Sequence, residues 1–275
     1  QNIAFWDPRR AAYVAYFRVK HNGKRAIGIS SSENFLHWSD PELVGVEAPS
    51  QEHIYTNATL PYFRAPHLYL AFPMRYAPGH PSFIPGTKNA CDAVLMSSRD
   101  GRNFRQHSSE PFLWPGPEKE NWTKHSNMPA WGLLATSETE LSVYYTRHFY
   151  LPTAHLQRGT LGIDRFVSLH TPLSGGEWTS KPLQFSGDEL VLNFRTSAVG
   201  SIRVSILDRG GQPLDGYGLE QCPEIYGDEF ARAVSWENGG ENLAQLTGQT
   251  VRLRFVMKDA DLFSVRFREA RAGGN

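Results

Sequence analysis

An internal repeat constrains this chain more than any other feature. Ser31-Ser32-Glu33-Asn34-Phe35-Leu36-His37-Trp38 aligns without gaps on Ser97-Ser98-Arg99-Asp100-Gly101-Arg102-Asn103-Phe104, an offset of 66 residues. A weaker third copy, Gly162-Ile163-Asp164-Arg165-Phe166, sets Asp164 another 64 residues on. Each copy follows a short apolar run and puts Asn or Asp at a tight turn before an aromatic. Asn and Asp suit such turns because their side chains bond nearby backbone and tolerate left-handed conformations. Upstream lie aromatic runs at 13–17, 68–72 and 141–145, each followed closely by an arginine: Arg18, Arg75 and Arg147. Four short strands per unit, repeated, is the signature of propeller blades. Units of this length leave room for long functional loops, and the Pro- and Gly-rich stretches 76–89 and 114–127 are read as two of them.

The pattern changes after Pro172. Residues 173–177 read as a linker, and short apolar runs follow. Alternation is clean at Ile202/Val204/Ile206 and Val251/Leu253/Phe255, the mark of strands buried on one face. Asp208-Arg209-Gly210-Gly211 is a hairpin-turn signal. Seven or eight such strands predict a β-sandwich. The expected organisation is therefore all-β, with propeller blades over 1–172 and a sandwich over 178–269. Composition agrees: 7 Trp, 11 Tyr and 16 Phe favour strands, 24 Gly and 18 Pro supply turns, and no long amphipathic helix is legible.

Several function classes drop out on charge and pattern. The chain carries 28 basic and 28 acidic side chains, so it lacks the basic excess of a nucleic-acid binder. No apolar run approaches the roughly 18 residues that a membrane helix needs. Cys91 and Cys222 lie far apart without ligand spacing and read as unpaired small hydrophobes. The ten histidines show no metal-site spacing and no phosphate loop occurs, so neither a metal nor a cofactor is expected. The chain opens Gln1-Asn2-Ile3 with no initiator Met or leader, which reads as a processed or truncated product. An extracellular or periplasmic location is the expectation.

The blade pattern with Trp6-Asp7-Pro8 opening an aromatic strand resembles the five-bladed propeller glycoside hydrolases of families 32, 43, 62 and 68. Residues 246–255, followed by Asp259-Ala260-Asp261-Leu262-Phe263-Ser264, look like the end of the sandwich that accompanies the family 32 branch. The resemblance implies a carbohydrate substrate and an acidic residue in an Asp-Pro context facing a central pocket. It departs from the family in two ways. Three units are visible against five, so either two N-terminal blades are missing or three large units and the sandwich share the closure; an incomplete ring would allow an oligomer in which another chain supplies the rest. The family 32 Glu-Cys-Pro motif is absent from the blades, and Glu220 with Cys222-Pro223 falls in the sandwich.

Glycosidic cleavage needs one protonated and one ionised carboxyl. Asp7 is the candidate for the ionised member, Glu52 for the acid, and Asp92 is a further carboxyl. Tyr55, Asn57, His125 and Asn127 stand at equivalent blade starts and are candidates for binding sugar hydroxyls. Arg75, Arg147 and His148 close aromatic strands, where arginine pairs with an acidic sugar or ties blades together through carbonyls. Trp122 is the expected stacking platform. The leading reading is a glycoside hydrolase acting on a poly- or oligosaccharide. A non-catalytic carbohydrate-binding propeller, a piece of a larger assembly and a uronic-acid lyase stand as alternatives.

Overall fold

Period-two burial organises the start of the chain into an antiparallel meander. The computed structural model describes residues 2–48, 53–237, 240 and 242–270. Strands β1 (Ile3–Asp7), β2 (Ala12–His21), β3 (Lys24–Ser32) and β4 (Glu42–Leu43) are neighbours in that order. Asn22 and Gly23 both take positive φ at the β2–β3 turn, as a two-residue hairpin requires. Val14 and Tyr16 of β2 and Ile27 and Ile29 of β3 are buried together.

The second repeat is more elaborate. The strands are β5 (Gly45–Glu47), β6 (His53–Ile54), β7 (Leu60–Tyr62), β8 (Ala65–Ala71), β9 (Met74–Pro81), β10 (Lys88–Ala93), β11 (Met96–Ser98) and β12 (Asn103–Gln106). Four of them form a sheet in the order β12-β11-β8-β7, and β5 joins β12 in parallel at its edge. Tyr69, Ala71, Met96 and Phe104 from this sheet share the core of the first. Between β8 and β11 the chain leaves to build a separate sheet, β10-β9-β6. Residues 76–89, expected as a loop, are thus largely hairpin. Among the described residues β6 pairs only with Arg75 and Tyr76, at the start of β9, and the prolines of β9 lie beyond that pairing. A register shift between Lys88 and Ala90, with Asn89 at φ 103° and its side chain accepting from the Gly79 N–H, absorbs the irregularity. A third sheet follows: β13 (Leu134–Ala135), β14 (Glu140–Arg147) and β15 (His155–Gly162).

The repeated turns are structural. Asn34 Oδ1 accepts the N–H groups of Leu36 and His37 at 2.9 Å, and Asp100 Oδ1 those of Arg102 and Asn103 at 2.8 Å. Ser32 and Ser98, two residues earlier, donate their hydroxyls to the same two side chains. Burial pushes the Asp100 carboxyl up, but the donors from Asn103, Arg102 and Ser98 outweigh it and hold the group well below the usual carboxylate range. Asp164 also adopts positive φ, at 62°, at the turn after β15.

Contacts divide the chain between Thr160 and Leu161. The C-terminal unit contains β16 (Leu169–Thr171), β17 (Gly176–Thr179), β18 (Glu189–Leu207), β19 (Asp228–Ala233) and β20 (Arg252–Arg268) in one sheet. The described residues hold five named strands rather than seven or eight, because runs read as separate strands join into the 19-residue β18. Its pairing with β20 shifts register between Thr196 and Ser201, which lets one strand bend without ending. Leu190, Leu192, Phe194, Ile202, Val204 and Ile206 of β18 face Leu253, Phe255 and Met257 of β20 and Trp236 in a dense core.

Gly200 sits at that bend. A Cβ there would lie 2.4 Å from the Asp259 carbonyl oxygen and 2.8 Å from that of Lys258, both backbone atoms of β20. Gly200→Ala is expected to destabilise this unit by about 2–3 kcal/mol, the usual cost of overpacking against atoms that cannot yield. Denaturant titration reads it, and an unchanged midpoint would contradict the tight approach.

Candidate functional site

Two neighbouring features of the N-terminal unit bring polar and aromatic side chains together. The first is a pocket of about 680 Å³ whose walls include Trp114, Trp122, His80, Tyr76, Arg75, Asp92 and Glu110. Its size falls within the range of small-molecule sites. The β9–β10 register sets Arg75 opposite Asp92, and the pair closes bidentately: Nε to Oδ1 at 2.9 Å and NH2 to Oδ2 at 2.6 Å. Arg75 also donates to the Ser109 carbonyl at 2.9 Å, anchoring the segment that carries Glu110. Glu110 is exposed, and its carboxyl has no hydrogen-bond or ion-pair partner among the described residues.

Trp122 follows a single 3-10 turn, Lys119–Asn121. Its indole N–H donates to the Gly116 carbonyl at 3.0 Å, and its ring stacks with His80 at 5.8 Å. The Phe83 N–H donates to the Trp122 carbonyl at 2.9 Å, tying the β9–β10 hairpin to this loop. Trp122 therefore presents a positioned ring that is 39% exposed. Cys91 also lines the pocket, and burial pushes its thiol up to about 12, so no reactive thiolate forms there.

The second feature shares His53 and Tyr76 with the pocket wall. The Tyr55 ring packs against Tyr76 at 5.8 Å and His125 at 5.0 Å. Two guanidiniums cover Tyr55, Arg18 at 4.9 Å and Arg25 at 5.2 Å from its centroid, and Arg25 lies 4.1 Å from that of Tyr76. Burial lowers the His125 pKa first, with the charges of Lys124, Arg25 and Arg18 adding to it. His125 has φ 71°, and Tyr150, whose ring lies 5.8 Å from that of His125, and His148 are also left-handed, at 71° and 52°. Strained conformations of this kind cluster at functional sites.

The residues nominated from sequence separate into groups. Asp92, Arg75 and Trp122 meet in the pocket, and Tyr55 and His125 meet in the aromatic cluster beside it. Asp92 lies within β10 rather than opening a strand. Asn57 and Asn127 are buried and hold backbone: Asn57 donates to the Tyr16 carbonyl, Asn127 to those of Cys91 and Asn121. Arg147 donates to the Pro115 carbonyl, Asn127 and Glu118, and His148 reaches Glu118 at 3.4 Å. The Asn121 amide, with His148 and Arg147, holds the Glu118 carboxyl below its usual range. Glu52 lies outside the described residues.

Asp7 stands apart from the pocket lining. It closes β1 instead of opening an inner strand, and it is 1% exposed. Its Oδ1 accepts the Arg9 N–H at 3.0 Å, while Oδ2 accepts a short hydrogen bond from the Tyr69 hydroxyl and lies 3.5 Å from Arg10 Nε. Arg10 donates to the Asp100 carbonyl and Tyr16 to that of Gly101, so the β1–β2 turn is stitched to the second repeated turn. Glu110 and Arg25 were not legible as site residues: neither belongs to a repeated pattern, and only the hairpin and the sheet order bring them there. Among the described residues no group of three His, Cys, Asp or Glu side chains converges as a metal site.

No family model and no curated relative matches the chain. Solved structures that resemble it are glycoside hydrolases and related enzymes. An N-acetylgalactosamine deacetylase from F. plautii, in complex with blood group B trisaccharide, is 12% identical over 59% of this chain and 50% of that one, with a TM-score of 0.43. A Bombyx mori GH32 beta-fructofuranosidase is 9% identical over 94% of this chain and 89% of that one, at 0.34. A GH43 arabinoxylan arabinofuranohydrolase from Bacillus subtilis, in complex with cellotetraose, is 9% identical over 94% and 52%, at 0.26. The chain spans half the length of the deacetylase. At these scores the likeness carries no residue roles to this chain.

Proposed function

We propose that the chain is a glycoside hydrolase that binds an oligo- or polysaccharide in the pocket beneath Trp122, in a β-propeller to which the sheets β1–β4 and β12-β11-β8-β7 contribute blades, with a sandwich after it. The observation that carries this reading is a positioned, half-open indole lining the same pocket as two carboxyls, Asp92 and Glu110. Aromatic faces suit the apolar faces of sugar rings, and a pair of carboxyls is what glycosidic chemistry requires. In this reading Asp92, oriented by Arg75, is the carboxylate. Glu110 is the proton donor once a bound sugar excludes water from it. Glu52, adjacent in sequence to His53 on the pocket wall, is the second candidate for the acid.

A second reading is carbohydrate binding without turnover. The complete pairing of Asp92 by Arg75 favours it, because a carboxylate so matched has less freedom to serve a substrate. Both readings require Trp122. Trp122→Ala is expected to weaken binding of a bound glycan by about fivefold or more, taking an aromatic stacking contact as worth at least 1 kcal/mol. Titration calorimetry over a panel of plant and algal glycans reads this, and equal affinity of wild type and variant would remove the pocket from consideration.

A further inference from the structure

The arginines that close the three aromatic runs do not meet the same fate. Arg75 is matched by Asp92 and Arg147 by Glu118, each with loop carbonyls as well. Arg18 forms no ion pair among the described residues; its guanidinium lies on the face of Tyr55. Arg25 reaches the same ring from its own strand, and its side chain's hydrogen-bond partner is the neutral imidazole nitrogen Nδ1 of His53 at 3.4 Å. Lys124 lies 5.3 Å from the Tyr150 ring and forms no ion pair among the described residues either. Three cations thus gather around Tyr55 and His125, and among the described residues no carboxylate pairs with any of them. Like charges held together repel, and an anion placed among them removes that repulsion while gaining charge-assisted hydrogen bonds.

We infer that this cluster is a subsite for a saccharide unit bearing an anionic group, a carboxylate or a sulfate, with its ring against Tyr55 and its anion between Arg18 and Arg25. The inference rests on the carbohydrate reading of the adjoining pocket and deepens it. His53 and Tyr76 belong to both features, so one oligosaccharide can run from Trp122 to Arg18. The repeat explains why the first arginine differs: the hairpin that supplies Asp92 and the loop that supplies Glu118 have no counterpart after β2, where Asn22-Gly23 turns the chain directly into β3.

The test measures affinity of the full chain for a uronic-acid trisaccharide, the matching neutral trisaccharide, and the neutral sugar carrying sulfate. The expected result is at least a tenfold preference for an anionic sugar, falling as salt is raised. The uronic and sulfated arms identify which anion is taken. Arg18→Gln is the first variant, since this side chain is exposed, and Arg18→Gln with Arg25→Gln the second. The ratio of anionic to neutral affinity is expected to fall several-fold in the first and to about one in the second, with unfolding midpoints recorded alongside. A preference that survives in a folded double variant would overturn the inference. Equal affinity for anionic and neutral sugars, with Trp122→Ala still weakening both, would overturn it and leave the pocket reading intact. Binding of no sugar would overturn both.

Discussion

Asp7→Ala should lower the stability of the N-terminal unit by about 3 kcal/mol, the scale for removing one partner of a buried, hydrogen-bonded charge. Two donors and a cation converge on this carboxylate: the Arg9 N–H and the Tyr69 hydroxyl hydrogen-bond to it, and the Arg10 guanidinium pairs with it at 3.5 Å. Tyr69 is 1% exposed, so its hydroxyl would lose its acceptor inside the protein. Burial, followed by the hydrogen bond to Asp7, raises the Tyr69 pKa, and burial likewise raises that of Tyr16. Both phenols are therefore neutral donors at ordinary pH. Asp7→Asn should cost less, since a carboxamide oxygen still accepts from Tyr69 but no longer opposes Arg10. Urea titration of both variants provides the measurement. A loss under about 0.5 kcal/mol for Asp7→Ala would show that the junction does not depend on its carboxylate. Sugar binding by Asp7→Asn, measured on folded protein, then separates a scaffold role from the catalytic one suggested by its Trp-Asp-Pro context.

What was legible in the sequence is what local chemistry determines. The Ser-x-Asn and Ser-x-Asp turns could be read directly because Asn34 and Asp100 bond backbone two and three residues on. The alternation at Ile202/Val204/Ile206 marks a buried face because strand period and burial share one geometry.

Register was not legible. Arg75 and Asp92 are 17 residues apart, separated by prolines and glycines that suggest a loop, and only the bulged β9–β10 hairpin makes them cross-strand partners. Tyr69 belongs to an aromatic run read as core, and nothing local indicates that its hydroxyl seeks a carboxylate 62 residues earlier. Lys24-Arg25 after a hairpin turn looks like ordinary surface charge, yet sheet order places Arg25 over two tyrosines. In the C-terminal unit the bend at Gly200 merges two short runs into one strand, a connection that periodicity cannot express.

The largest functional effect is expected at the pocket carboxyls. If Asp92 and Glu110 act as a pair, each removes a different step, and each neutral variant should reduce turnover by about 10²–10⁴-fold, the range for positioned acid–base groups. Glu110→Gln is the cleaner of the two, since its carboxyl has no partner to lose among the described residues. Asp92→Asn also weakens the Arg75 pair, so its unfolding midpoint must be recorded with its rate.

The most direct measurement is product release over time from whichever glycan binds in a Trp122-dependent manner. It compares wild type with Glu110→Gln, Asp92→Asn and Glu52→Gln under conditions where all four are folded and saturated with the glycan. The account predicts hydrolysis by wild type and a loss of at least a hundredfold in Glu110→Gln with binding retained. Binding with no hydrolysis by wild type, or undiminished turnover in Glu110→Gln, would contradict it.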